Sequence, residues 1–124
     1  MDNENTPGNE FYRRQLQFLQ DMDLDGLANN QYTEDAELIG FGFQWKGRQA
    51  IHDHFVNYMK MLGHIDLNST DKWAETDDSI FFEATMTTNL GIAHVYDAFV
   101  FRDGKASHHF TGVSSVSPLP KQDQ

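Results

Sequence analysis

The apolar residues of this chain change their spacing once, at Gly63. Before it they recur with the 3.6-residue period of a helix, and after it they alternate as in strands. A chain divided in this way lays its helices down first and its sheet afterwards, which is the order of an α+β fold. From Glu10 to Met22 the residues Phe11, Tyr12, Leu16, Phe18, Leu19 and Met22 form a stripe roughly 160° wide, opposite Arg13, Arg14, Gln17, Gln20 and Asp21. Asp23 is placed to cap a second, shorter helix within DLDGLANNQY. Glu37 to Phe43 reads as extended. A third helix runs from Arg48 to Leu62 on the stripe Ile51, Phe55, Tyr58, Met59 and Leu62, with Gly63 as its stop.

Beyond Gly63, the segments His64 to Ala74, Ser79 to Asn89, Ile92 to Phe101 and Ala106 to Val116 read as strands, with turns at Asp77-Asp78, Leu90-Gly91 and Asp103-Gly104. The expectation is a curved antiparallel sheet with about three N-terminal helices on its concave face. It forms one domain over residues 10–116, between flexible polar tails at residues 1–9 and 117–124. A length of 124 residues suits one core.

Charge and composition exclude several function classes. Nine Lys and Arg against nineteen Asp and Glu give a net charge of -10, which repels phosphate backbones and anionic lipid, so neither nucleic acid nor a membrane surface is an expected partner. The polar, acidic N-terminus and the lack of a long apolar run leave the cytoplasm as the expected compartment. With no cysteine, disulfides, thiolate metal sites and cysteine nucleophiles are excluded. His52 and His54 lie two apart on a helix, roughly 200° around its axis, and the adjacent His108 and His109 point to opposite faces of a strand. Neither pair suits one ion, and no metal is expected.

Three segments carry a resemblance: Leu-Gln-Asp-Met-Asp-Leu-Asp-Gly-Leu at 19–27, Tyr32-Thr33-Glu34-Asp35-Ala36, and Lys46-Gly47-Arg48-Gln49-Ala50-Ile51 leading into a helix with Phe55. With the order of elements, they make residues 10–116 resemble the superfamily of ketosteroid isomerases, SnoaL-type cyclases and nuclear-transport-factor-2-like proteins. The resemblance implies a cone-like sheet closing over the helices around an apolar pocket, and activities that range from isomerase and cyclase to none. In the ketosteroid isomerases the general-base aspartate lies eight residues after the strand-entry tyrosine, which here is Gly40. Their first-helix tyrosine corresponds to Leu16, with Tyr12 one turn away. Their buried carboxylic acid, four residues before the phenylalanine that opens the last hairpin, corresponds to Asp97 before Phe101. One match in three speaks against isomerase chemistry of that particular type.

Asp97 also stands out without the resemblance. In Val95-Tyr96-Asp97-Ala98-Phe99-Val100-Phe101, alternation puts it on one face with Val95, Phe99 and Phe101, an apolar neighbourhood that favours the protonated acid. If Asp103-Gly104 is a two-residue turn, Phe99 pairs with His108 and Asp97 with Phe110, so that His108 is a diagonal neighbour of Asp97. A slip of one residue would put His109 there instead. Asp97 and His108 are the candidate acid and base, and equally a buried polar pair that holds a pocket's shape. Tyr12, Trp45, Tyr58, Phe99 and Phe110 are the candidate ligand contacts. Tyr32 reads as core. Trp73, Phe81, Tyr96 and Val100 are expected on the outer face of the sheet, where a homodimer would cover them.

Two functions remain open at this point. One is a cofactor-independent isomerase, cyclase or dehydratase acting on a small, ring-containing apolar substrate. The other is a non-catalytic domain that binds a small hydrophobic molecule or acts as a dimeric scaffold.

Overall fold

Helix α1 (Pro7–Gln20) begins ahead of its apolar stripe because the chain supplies a cap. The Thr6 hydroxyl accepts from the Asn9 amide at 3.1 Å, and Pro7 enters the first turn, where no amide hydrogen is needed. Glu75 meets the same terminus, accepting from the Thr6 hydroxyl at 2.9 Å and the Gly8 amide at 3.1 Å. Residues 6–9, expected in the N-terminal tail, are therefore the cap and first turn of α1. The computed structural model describes residues 6–119, so residues 1–5 and 120–124 of the two expected tails lie outside the described residues.

Helix α2 (Leu24–Gln31) is capped as expected, Asp23 accepting from the Gly26 amide at 2.9 Å. There follow strands β1 (Tyr32–Gly40) and β2 (Phe43–Lys46), helix α3 (Arg48–Leu62), and the meander β3 (Asp66–Thr76), β4 (Ser79–Thr88), β5 (Gly91–Arg102) and β6 (Lys105–Ser117). Gly47 and Gly63 bracket α3 with φ of 95° and 77°, a region that favours glycine. Strand β2 escapes a reading by alternation because its four residues are mostly exposed. Among the described residues no helix is long and apolar enough to cross a membrane.

The six strands lie in the order β2-β1-β6-β5-β4-β3. Every pair is antiparallel except β1 with β6, which run parallel and make the sheet mixed. This follows from connectivity: α3 carries the chain from the β1–β2 hairpin to the far edge, and the meander returns strand by strand until β6 closes beside β1.

The curvature comes from extra residues. Asn68 and Asp71 are unpaired in β3, and Ser107 and Ser114 are unpaired in β6. Both serines turn their hydroxyls onto the opposing strand, Ser107 donating to the Val100 carbonyl at 3.2 Å and Ser114 to the His94 carbonyl at 3.1 Å. Between the two bulges the facing of β6 is inverted relative to a plain hairpin. His109 rather than His108 therefore pairs with Phe99, and Thr111 rather than Phe110 pairs with Asp97.

Two rows of side chains line the inside of the sheet as a result. One runs Trp73, Phe82, Asp97, Thr111; the other runs Ile80, Phe99, His109, Leu38. Trp73 thus belongs to the concave face, with its ring 5.2 Å from Tyr12 and 5.7 Å from Phe82, and not to the outer face expected for it. Its β4 partner Phe82 is core, and cross-strand partners share a face. Phe81, on the alternate parity, does lie outside and is 54% exposed. Phe11, Leu19, Leu27, Ile51, Phe55 and Met59 from the helices close the core against these rows.

Candidate active site

Between α1, α3 and the concave face lies a cavity of about 200 Å³. Its walls are largely apolar, from Leu16, Leu38, Phe43, Phe55, Phe82, Val95 and Phe99, and its polar groups are few: Tyr12, Gln15, His54, Tyr58, Asp97, His109 and Thr111. The volume exceeds that of the roughly 150 Å³ apolar cavity that takes up a benzene ring.

Asp97 and His109 meet on the sheet wall, Oδ1 to Nε2, at 2.7 Å. Both are removed from solvent, their side chains 14% and 5% exposed. The imidazole lies against Phe99, ring centres 3.8 Å apart and planes 23° from parallel, so its orientation is fixed by packing as well as by hydrogen bonds. Its other nitrogen, Nδ1, is 2.9 Å from the hydroxyl of Tyr32, which is fully buried. Burial pushes the Tyr32 phenol well above its ordinary range, so it stays an O–H group.

The wall opposite is helical. His54 and Tyr58, one turn apart on α3, stack with ring centres 5.5 Å apart, and Phe43 stacks on the other side of His54 at 5.4 Å. Burial, with the neighbouring His109, lowers the His54 pKa from its ordinary value and favours the neutral ring. Burial raises the Tyr58 pKa, and the charge of Asp97 adds to the shift, so this phenol too remains a donor at neutral pH. Tyr12 is shifted in the same direction by burial, and its hydroxyl is already engaged with Thr70 at 2.7 Å.

Of the residues singled out in the sequence, Asp97, Tyr12, Tyr58 and Phe99 reach the cavity. His108 does not. The Ser107 bulge turns it away, half-exposed, with Nε2 3.8 Å from Glu37 and its ring beside Phe110 at 6.3 Å. Phe110 goes with it and is 44% exposed. Trp45 lies on the short edge strand β2, 42% exposed and outside the cavity lining, its ring 6.1 Å from His54. Gly40 is explained by its neighbour: a Cβ there would overlap the Phe43 ring, which fills the place of a longer side chain.

His54, Gln15, Tyr32 and Phe43 join the site without having been singled out for it. His54 carried a signal, since it falls on the α3 stripe three residues after Ile51 and four before Tyr58. Gln15 lies one turn from Phe11 and Leu19 on the buried face of α1, where a polar residue needs a partner.

The sequence pattern of the SnoaL-like domain matches residues 12–109, which includes the greater part of α1, all of α3 and the Asp97–His109 pair. The chain belongs to the SnoaL-like domain family. Among curated proteins none matches it. Solved structures share the fold at low identity. A protein from Sinorhizobium meliloti named as a candidate polyketide cyclase is 15% identical, with a TM-score of 0.72 over 83% of this chain and 94% of that one. TerC, crystallised with polyporic acid, is 17% identical, with a TM-score of 0.73 over 88% and 92%. An NTF2-like protein from Anabaena variabilis is 15% identical, with a TM-score of 0.77 over 97% and 98%. This SnoaL-like domain thus has the expected α+β cone, with its histidine displaced by one residue from the plain-hairpin register.

Proposed function

We infer that this SnoaL-like domain catalyses a proton transfer, of isomerase, cyclase or dehydratase type, on a small ring-bearing apolar substrate. The observation that carries this reading is the 2.7 Å contact between Asp97 and His109 on the wall of a largely apolar cavity. Asp97 takes a proton from a carbon next to a carbonyl, or from a ring hydroxyl, and returns it at a second position. His109 holds the carboxylate through Nε2. Oxyanion charge that develops on the substrate is met from α3 by the Tyr58 hydroxyl, with neutral His54 beside it. No base stands at Gly40, so the proton acceptor is the carboxylate that the fold does bring to the cavity. The fold shared with a candidate polyketide cyclase and with a protein crystallised with polyporic acid supports a small-molecule site here.

Exchange of carbon-bound hydrogen tests the reading directly. Small cyclic ketones and hydroxyarenes in deuterated buffer, followed by proton NMR, are expected to exchange faster with the protein than without it, and Asp97→Asn is expected to abolish the acceleration. Binding that is saturable but indifferent to Asp97→Asn, with no exchange, would overturn it and leave a binding domain.

A further inference from the structure

The buried groups behind His109 form one continuous hydrogen-bonded chain, and its direction can be worked out from its ends. At the surface end is Arg14, whose guanidinium can only donate; its Nε reaches Gln31 Oε1 at 3.2 Å. Also at that end is the Phe11 carbonyl, which can only accept; Gln31 Nε2 donates to it at 3.0 Å. Turning the Gln31 amide over would set donor against donor and acceptor against acceptor, so its orientation is fixed. Its Nε2 also donates to Gln15 Oε1 at 3.1 Å, which fixes Gln15 in turn. Gln15 Nε2 then donates to the Tyr32 hydroxyl at 3.0 Å.

With its oxygen accepting from Gln15, the Tyr32 hydroxyl sends its own hydrogen to His109 Nδ1, 2.9 Å away. Nδ1 must be unprotonated to accept it. In the neutral ring the proton therefore lies on Nε2, pointing at Asp97 Oδ1. The intervening residues are sealed from solvent: Gln31 and Tyr32 are 0% exposed, His109 4% and Gln15 6%. A buried chain of this kind is satisfied throughout in one polarity only, and an unsatisfied member is costly.

We propose that Gln31, Gln15 and Tyr32 lock His109 in its Nε2–H tautomer and so hold Asp97 as a proton acceptor at the cavity wall. Gln15 and Tyr32 are positioning residues that act through His109. Their contribution to turnover rests on the acid–base reading above; the lock itself does not.

Nitrogen-15 NMR of the His109 ring, read at pH 8 in the substrate-free protein, tests the lock. The expected spectrum shows Nδ1 as a bare, hydrogen-bonded nitrogen and Nε2 as the protonated one. Tyr32→Phe removes the donor and is expected to give a mixture of tautomers. Gln15→Glu, nearly the same shape, puts an acceptor against the Tyr32 hydroxyl, draws its hydrogen away and is expected to move the ring proton to Nδ1. A protonated Nδ1 in the unmodified protein, or an unchanged tautomer in both variants, would overturn the proposal. Where turnover is found, Tyr32→Phe is expected to lower kcat by about threefold to tenfold with little change in KM, the effect of about one neutral hydrogen bond. The correct tautomer without any proton exchange would sink the proposed function and leave the lock standing.

Discussion

The two walls of the cavity are built on different principles. On the sheet wall, Asp97 and His109 are backed by a hydrogen-bonded chain and by the Phe99 ring, so position and proton placement are both set before any ligand arrives. On the helix wall, the side chains of His54 and Tyr58 are held by ring stacking, and neither side chain forms a hydrogen bond with another described residue. The difference separates two tasks. A wall that is saturated internally is suited to supplying a group of fixed geometry, and a wall with spare donors is suited to meeting a ligand's oxygen.

The largest expected effect comes from changing the charge on the sheet wall while keeping its shape. Asp97→Asn retains an oxygen that can accept from His109 Nε2, so the fold should be nearly undisturbed, yet the proton acceptor is gone. Turnover in the exchange assay is expected to fall by about 10²–10⁴-fold. A variant that keeps its rate would mean that the reacting group is on the helix wall. Next comes the imidazole itself. His109→Ala empties the space against Phe99 and leaves the Tyr32 hydroxyl without its acceptor, and we expect a loss of about 2–4 kcal/mol in urea denaturation. Its neighbour provides the contrast: His108→Ala, on the outer face, is expected to stay within about 0.5 kcal/mol. Equal losses would contradict the bulge at Ser107.

That pair of histidines also marks how far the sequence can be read. The change of period at Gly63, the Asp23 cap and the α3 stripe are local features, and each lies where the sequence places it. Asp97 was legible because three alternating residues around it, Val95, Phe99 and Phe101, are apolar. The choice between His108 and His109 was not, since it depends on one unpaired residue. Its only trace in the sequence is a pair of serines, Ser107 and Ser114, small enough to bulge and able to satisfy the opposing carbonyl. Trp73 was misplaced through strand parity as well, in a strand with two unpaired residues of its own. Strand β2 is short and mostly exposed, and the parallel β1–β6 pair depends on contacts between residues far apart in the chain; alternation reveals neither.

On the helix wall the expected effects are smaller. Removal of the Tyr58 hydroxyl breaks no bond within the described residues, so Tyr58→Phe should leave thermal stability unchanged. If the hydroxyl meets the substrate's oxygen, kcat/KM falls by about threefold to tenfold, the worth of one neutral hydrogen bond. A loss of stability in place of a loss of rate would assign Tyr58 to packing and weaken the division of tasks between the walls.

The smallest effect is a difference of sign between two histidines on one helix. His54 faces the cavity, and burial lowers its pKa from the usual 6.5. On acidification the unfolded chain takes up that proton first, so the stability contributed by neutral His54 is present above pH 6.5 and is lost as pH falls below it. His52 points away, between Asp53 at 3.1 Å and Asp25 at 2.7 Å, and these carboxylates raise its pKa, Asp53 foremost. Its contribution is full below the unfolded value and is lost as pH rises through the folded one. With partners 85% and 62% exposed it is worth about 0–1 kcal/mol. Denaturation midpoints between pH 8 and pH 5 should therefore decline less steeply in His54→Phe than in the unmodified chain, and more steeply in His52→Gln. If both variants shifted the slope the same way, the desolvation assigned to the helix wall would be wrong, and His54 would be a solvated residue with no claim on the cavity.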